Sequence, residues 1–512
     1  MRKKLNIFLR IGITAILILV QIALFSLLLI YFVHWGPIVT VAMYFFSLLV
    51  LLFIIRNDDE AGYKIGWIIV VFFLSPAGGL LYLLFGGNRP ARKLHYAINR
   101  EHQANSQLLK QNAEVYHGVE TANKRTAGLV SYINRTAHAP AYENTFTKYY
   151  SFGQDMFADM LVELKKAQHF IFMEYFIIDA GVMWDSLLDV LTEKAKAGVD
   201  VRLLYDDFGS LVMLPSNFAR QMEARGIKCI AFNPLVPSMA LSMNNRDHRK
   251  IMVVDGHTAF SGGINIADEY INAISPRGIW KDTGIMLQGD AVWSYTLMFL
   301  EIWNAVAKDR ISQEQLANYR PTAYTDERWE TDGYVQPYGD SPLDDHTIGE
   351  DVYIDILNQA EHYVHIFTPY LIISEKMKAT LVLAAQRGVD VCITTPGVPD
   401  KKIVYAQTRS YYKGLLQGGV RIFEYTPGFL HAKSFVCDDR IAVVGTINLD
   451  YRSLYLHFEC GTLLIGSSCV AELKKDTAAT LKQCREVSLQ DCNRGFWREL
   501  FDTIVRIIAP LM

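Results

Sequence analysis

His248-Arg249-Lys250-Ile251-Met252-Val253-Val254-Asp255 places a lysine and an aspartate two and seven positions after a histidine, and Gly262 and Asn265 follow at fourteen and seventeen. The chain then repeats every offset with His431, Lys433, Asp438, Gly445 and Asn448. A lone His-x-Lys is common by chance, but two copies in register over eighteen positions are a repeat. The chemistry on offer is that of phosphate esters. Imidazole acts as a nucleophile or a proton carrier near neutral pH. Lysine and asparagine donate hydrogen bonds to the non-bridging oxygens of a phosphate. Two such half-sites face to face would set one histidine on each side of a phosphorus atom. One would attack and the other protonate the leaving oxygen, splitting one displacement into two easier ones. The set His248, Lys250, Asp255, His431, Lys433 and Asp438, with Asn265 and Asn448 on the phosphate, needs neither a metal nor a cofactor.

These residues must be held by hairpins. The runs Ile251–Val254 and Thr258–Ser261 flank Asp255-Gly256, a strong turn signal. Alternate side chains of a strand share a face, so His248 and Lys250 point the same way. The returning strand brings Asn265 back beside His248. Phe435–Cys437, the Asp438-Asp439 turn and Ile441–Val444 do the same for His431 and Asn448. Asp255 and Asp438, at the turns, are expected to form structural ion pairs rather than to move protons.

The surroundings repeat as well. A helix over 156–167, a buried strand over 169–178, a helix to Lys196 and a turn-strand at 197–205 are echoed by strands at 362–373 and 387–394. Residues 226–230 are echoed by 419–423. Strands alternating with helices predict an α/β fold, with two similar halves of mixed, largely parallel sheets flanked by helices. The halves are placed at 141–330 and 331–512, with the boundary in the Pro-, Gly- and Asp-dotted stretch 311–345. Asp282 and Glu459 lie on the strand after each motif. Glu174, Tyr175 and Tyr370 border the pocket or belong to the core, and His257 faces solvent.

The paired His-x-Lys-x4-Asp motifs with Gly-x-x-Asn downstream resemble the phospholipase D superfamily, and the whole chain is similar to the bacterial cardiolipin synthases within it. The resemblance implies a pseudo-twofold pair of halves and a phosphatidyl-histidine intermediate. It implies that Asp282 and Glu459 hydrogen-bond the histidines, and it gives the nucleophile to His248 and general acid–base work to His431, with the exchange of roles left open by the symmetry of the motifs. It implies phosphatidylglycerol and membrane lipids as substrates. Gly66-Trp67 and the run Ser75-Pro76-Ala77-Gly78-Gly79 to Asn88 are similar to the membrane segment that precedes the catalytic part of these enzymes, as is the closing Ala509-Pro510-Leu511.

Composition agrees with a membrane-bound protein of several domains. The 512 residues carry 50 basic and 53 acidic side chains, so no global polybasic surface invites nucleic acid. The hydrophobic fraction of 51% is high and concentrated in an anchor over residues 1–88. Spans are expected at 11–33 and 37–55, with 65–86 spanning or re-entrant because Pro76, Gly78 and Gly79 interrupt it. Lys and Arg at 2, 3, 4, 10, 56, 64, 89, 92 and 93 favour a hairpin whose tip lies outside and a catalytic body in the cytoplasm. Residues 89–140 read as a helical linker above the bilayer. The amphipathic stretch 495–508 lies on the membrane or packs on the body. Seven cysteines without metal-like spacing read as buried thiols. Two rival functions remain: a phospholipase D that uses water in the second step, and a catalytically silent membrane scaffold.

Overall fold

The computed structural model describes residues 19–27, 30, 37–57, 60–75, 77–86, 92–234, 244–325, 327–344, 346–493, 495, 503, 505 and 506. Most of the expected span 11–33 therefore lies outside the described residues.

The first half is a seven-stranded sheet of β1 (Thr145–Tyr150), β2 (Phe170–Tyr175), β3 (Asp200–Asp206), β4 (Lys228–Phe232), β5 (Lys250–Val254), β6 (Thr258–Gly262) and β8 (Gly284–Gly289), in the order β1-β8-β6-β5-β2-β3-β4. The short β7 (Ile279–Lys281) stands apart from it. The second sheet contains β9 (Tyr334–Asp340), β10 (Tyr363–Phe367), β11 (Asp390–Pro396), β12 (Arg421–Tyr425), β14 (Ser434–Cys437), β15 (Ile441–Gly445), β16 (Glu459–Ile465) and β17 (Cys484–Glu486). Its order, β9-β16-β15-β14-β10-β11-β12-β17, repeats the first strand for strand and adds β17 at the edge. In each sheet only the strands β2-β3-β4 or β10-β11-β12 run parallel, and the other pairings are antiparallel. The sheets are thus mixed as expected but not largely parallel, because the motif hairpin and the edge strands beyond it return on their neighbours.

Strand alternation builds the layers. Ile251 and Val253 of β5 pack with Val436, Ala442 and Val444 of the second half and with the apolar helix Val292–Val306 between the sheets. Met252 and Val254 face the other way, onto helices Gly153–Lys166 and Val182–Lys196. The motif turns form where the sequence placed them. Asp255 and Gly256 take φ of 49° and 75°, and Asp438 and Asp439 take 50° and 58°, the left-handed geometry of tight hairpins.

The 89–140 stretch is helical (Arg92–Ser106, Ala113–Ala122, Lys124–Thr136), and it packs into the body instead of standing off it. Ile98 joins the inter-sheet core, and Val119, Val130 and Ile133 join the core of the second half. Ahead of it, helix Pro37–Arg56 exposes Val41, Phe45, Leu49 and Leu52. The 65–86 segment is broken as Pro76 requires, into helices Ala61–Phe73 and Ala77–Phe85. They lie so close that a Cβ on Gly78 would meet the Val70 and Val71 backbone. Side chains of helix Pro37–Arg56 are described from Thr40 on. Among the described residues no helix is long and apolar enough to cross a membrane. Tyr63, Trp67 and Tyr82 pack with Tyr451 and Leu456, and the Tyr63 and Tyr451 rings stack at 6.0 Å, docking this apolar unit beside the second motif. Of 495–508, Arg506 packs on the body, 2.9 Å from Glu375 and over the Tyr411 ring.

Candidate active site

The site forms where the halves exchange strands. β7 pairs in parallel with β13 (Gly428–Leu430), and Asp247 bridges Phe458 in the same sense. His248 N donates to Phe458 O at 2.9 Å, and His431 N donates to Lys281 O at 2.7 Å. Each motif histidine is thus seated by the backbone of the opposite half. The acids follow suit. His248 Nδ1 lies 2.8 Å from Glu459, and His431 Nδ1 lies 2.7 Å from Asp282. A carboxylate that accepts from Nδ1–H leaves the Nε2 lone pair free to react.

Both imidazoles are nearly enclosed, at 7% and 6% exposure. Phe176 meets His248 edge-on at 4.9 Å, and Tyr270 meets His431 at 5.4 Å. Lys250 and Lys433 are buried, each donating to the carbonyl of its own motif histidine, and Lys433 Nζ also lies 2.9 Å from His431 Nδ1. Burial strips their hydration and pulls Lys250 down to about 8 and Lys433 to about 7. Burial and Lys433 lower His431 to about 4, with Asp282 opposing them. Burial, Lys250 and His457 hold His248 well below the usual imidazole range. Burial alone would raise Asp282, but His431 and Lys433 outweigh it and keep that carboxyl low. Burial dominates at Glu459 and pushes it well above the ordinary range, against Lys250 and the Thr446 hydroxyl that donates to it.

The asparagines are buried close by. Asn265 accepts from Ile177 N at 3.1 Å and donates to the Tyr270 hydroxyl at 2.8 Å, leaving one N–H uncommitted. Asn448 is buried with no partner at Oδ1. The motif aspartates are elsewhere, which corrects the inclusion of Asp255 and Asp438 among the reacting groups. They sit at the far ends of their strands in structural roles, each taking three backbone amides, and the expected ion pair forms at Asp438 alone. Asp255 accepts from Gln168, His169 and Phe170, all at 2.8 Å. Asp438 accepts from Glu361, His362 and Tyr363, and adds Arg440 at 3.1 Å. Glu174 is also away from the site, in a buried ion pair with Arg249 at 2.6 Å, because its odd-even position faces the inter-sheet side. Tyr175 is core, and Tyr370 bonds Asp400 at 2.7 Å. His257 is half-buried against Trp329 instead of free in solvent.

Sequence reasoning missed His457 and Trp280. Their rings lie against His248 and His431, each at 5.5 Å. The signal was present, since each stands two residues before the acid in equivalent stretches, His457-Phe458-Glu459 and Trp280-Lys281-Asp282. On spacing alone His248, His457 and Glu459 could share a metal ion, but Lys250 and Lys433 face the same space and favour an anion. The arrangement suits a phosphodiester held between two imidazoles.

Comparison with known proteins points the same way. A family model described as "Cardiolipin synthase, PLD-like domain" matches residues 160–274 and 353–480, and one described as "Phospholipase_D-nuclease N-terminal" matches 42–87. The major cardiolipin synthase ClsA of Bacillus subtilis (strain 168) is 32% identical over 477 residues, 91% of this chain and 97% of that protein. A cardiolipin synthase of Halalkalibacterium halodurans is 32% identical over 455 residues, 87% of this chain and 88% of that protein. Among solved structures, phosphatidylserine synthase of Haemophilus influenzae Rd KW20 superimposes with a TM-score of 0.55 at 14% identity, over 75% of this chain and all of that one, a likeness of fold.

Proposed function

The chain belongs to the cardiolipin synthases of the phospholipase D superfamily, and from that membership we propose a phosphatidyltransferase that joins two phosphatidylglycerol molecules into cardiolipin and releases glycerol. The observation that carries the reading is the reciprocal pairing His248–Glu459 and His431–Asp282 across the two halves.

In the first step one histidine attacks phosphorus through Nε2. The bond to the glycerol oxygen breaks, and the other histidine gives that oxygen its proton. In the second step the same histidine takes the proton from the headgroup hydroxyl of a second phosphatidylglycerol. That oxygen attacks phosphorus, the P–N bond breaks, and both imidazoles return to their starting state. Lys250, Lys433, Asn265 and Asn448 hold the non-bridging oxygens, where negative charge grows in each transition state. The buried lysines gain from this as well, because a phosphate anion supplies the counter-charge that burial withholds.

A lipid substrate accounts for the apolar unit docked at Tyr451. We place residues 1–88 in the membrane, with spans at 11–33 and 37–55, a re-entrant 65–86 segment and the body in the cytoplasm. The exposed apolar face of helix Pro37–Arg56, the tight turn at Gly78 and the charge distribution support this placement. Lipid mass spectrometry after incubation of the purified protein with phosphatidylglycerol vesicles tests the activity. Cardiolipin and free glycerol in equal amounts are expected from the wild type, with rates at least about a thousandfold lower for His248→Ala and His431→Ala. Phosphatidic acid as the product would make the protein a hydrolase, and no turnover would leave the silent scaffold.

A further inference from the structure

The two half-sites match in backbone, lysine and acid, but not in the ring beneath each histidine. Trp280 lies against His431 at 5.5 Å and 45°, and His457 lies against His248 at 5.5 Å and 41°. These are equivalent positions, each two residues before the acid that bonds the other half's histidine. His457 is buried, neither of its ring nitrogens has a hydrogen-bond partner, and its Nδ1 stands 3.9 Å from Glu459. A buried imidazole without a partner is rare unless its chemistry is used.

We propose that His457 is a positioning residue that breaks the symmetry of the site, keeping His248 as the uncharged, attacking imidazole while Trp280 lets His431 carry the proton. The inference rests on the transferase reading given above. An indole face attracts a cation lying on it, so Trp280 favours an imidazolium at His431. An imidazole face attracts a cation less, and burial together with the facing Arg452, Lys250 and Arg246 keeps His457 itself uncharged. Asp282, held ionised beside His431, acts in the same sense. The charged and titratable groups facing His248 are Lys250 on its own strand, Glu459 and His457 from the stretch ending in β16, and Lys433 and His431 from the second motif. Of these only His457 has no electrostatic equal across the pseudo-twofold axis. The first step needs a free Nε2 on one side and a transferable proton on the other, and this difference supplies both.

The test is the pH dependence of kcat/KM for cardiolipin formation in full-length wild type, His457→Trp and His457→Asn, with folding checked by thermal unfolding. His457→Trp makes the two half-sites alike. Its acidic limb, which reports the group that must be unprotonated, is expected to move up by about one pH unit, a ~tenfold lower rate on that limb, with the alkaline limb unmoved. His457→Asn removes the second imidazole with less change in packing and is expected to move the same limb in the same direction. Acidic limbs that superimpose on the wild type, with rates lowered equally at all pH, would reduce His457 to packing and overturn the proposal. Movement of the alkaline limb instead would make His248 the proton donor and overturn it too. Absence of cardiolipin from the wild type would sink the transferase reading itself.

Discussion

Lys250 and Lys433 are the residues at which burial and function meet most directly. Burial lowers both, to about 8 and about 7, so in the empty site their charge is lost as pH rises through that window. Below the window two ammonium groups face an incoming phosphate, and above it neither does. The inhibition constant of a dialkyl phosphate, whose own charge is fixed over the range, should therefore be smallest near pH 6 and rise about tenfold or more by about pH 9. A flat profile would mean that the lysines keep their charge in the empty site. The lysines, histidines and asparagines were legible in the sequence because a registered repeat fixes residue type and spacing together. Which acid serves which histidine was not legible. Glu459 is 211 residues from His248 and Asp282 is 149 from His431, and no local pattern reports contacts at that range.

The hairpins depend on the junctions that their aspartates make. Asp255 ties the β5–β6 turn to the amides that lead into β2, and Asp438 ties the β14–β15 turn to those that lead into β10. A carboxylate recurring at +7 was visible. Its partner was not, because backbone amides carry no sequence signature. Asp255→Ala leaves three amides without their acceptor and should cost about 3 kcal/mol, near 1 per hydrogen bond. Chemical or thermal unfolding should show that loss, while KM and the pH profile of the folded enzyme stay within a few-fold of wild type. Selective loss of kcat with unchanged stability would return Asp255 to the reaction. The motif hairpins and the repeated strands of each half were readable because alternation and turn chemistry are local, whereas the order of the strands in each sheet was not. The packing of helices Ala113–Ala122 and Lys124–Thr136 onto the second half was not, since their short apolar stripes name no partner.

At the scale of the molecule, two halves that are each incomplete close one site between them. The exchange of backbone through β7–β13 and Asp247–Phe458 makes the pairing of histidines a property of the whole fold. The apolar unit stacks through Tyr63 on Tyr451, three residues after Asn448, so the site and this unit are mechanically continuous. The hydrophobic runs announced an apolar N-terminal unit but not where it docks, because that contact rests on a tyrosine pair almost 400 residues apart. In the proposed reaction phosphorus passes through a histidine in two displacements. The most direct measurement is the stereochemical course of transfer from phosphatidylglycerol made chiral at phosphorus with sulfur. Two in-line displacements predict cardiolipin with retained configuration. Inversion would mean a single displacement with no phosphatidyl-histidine, and would contradict the account.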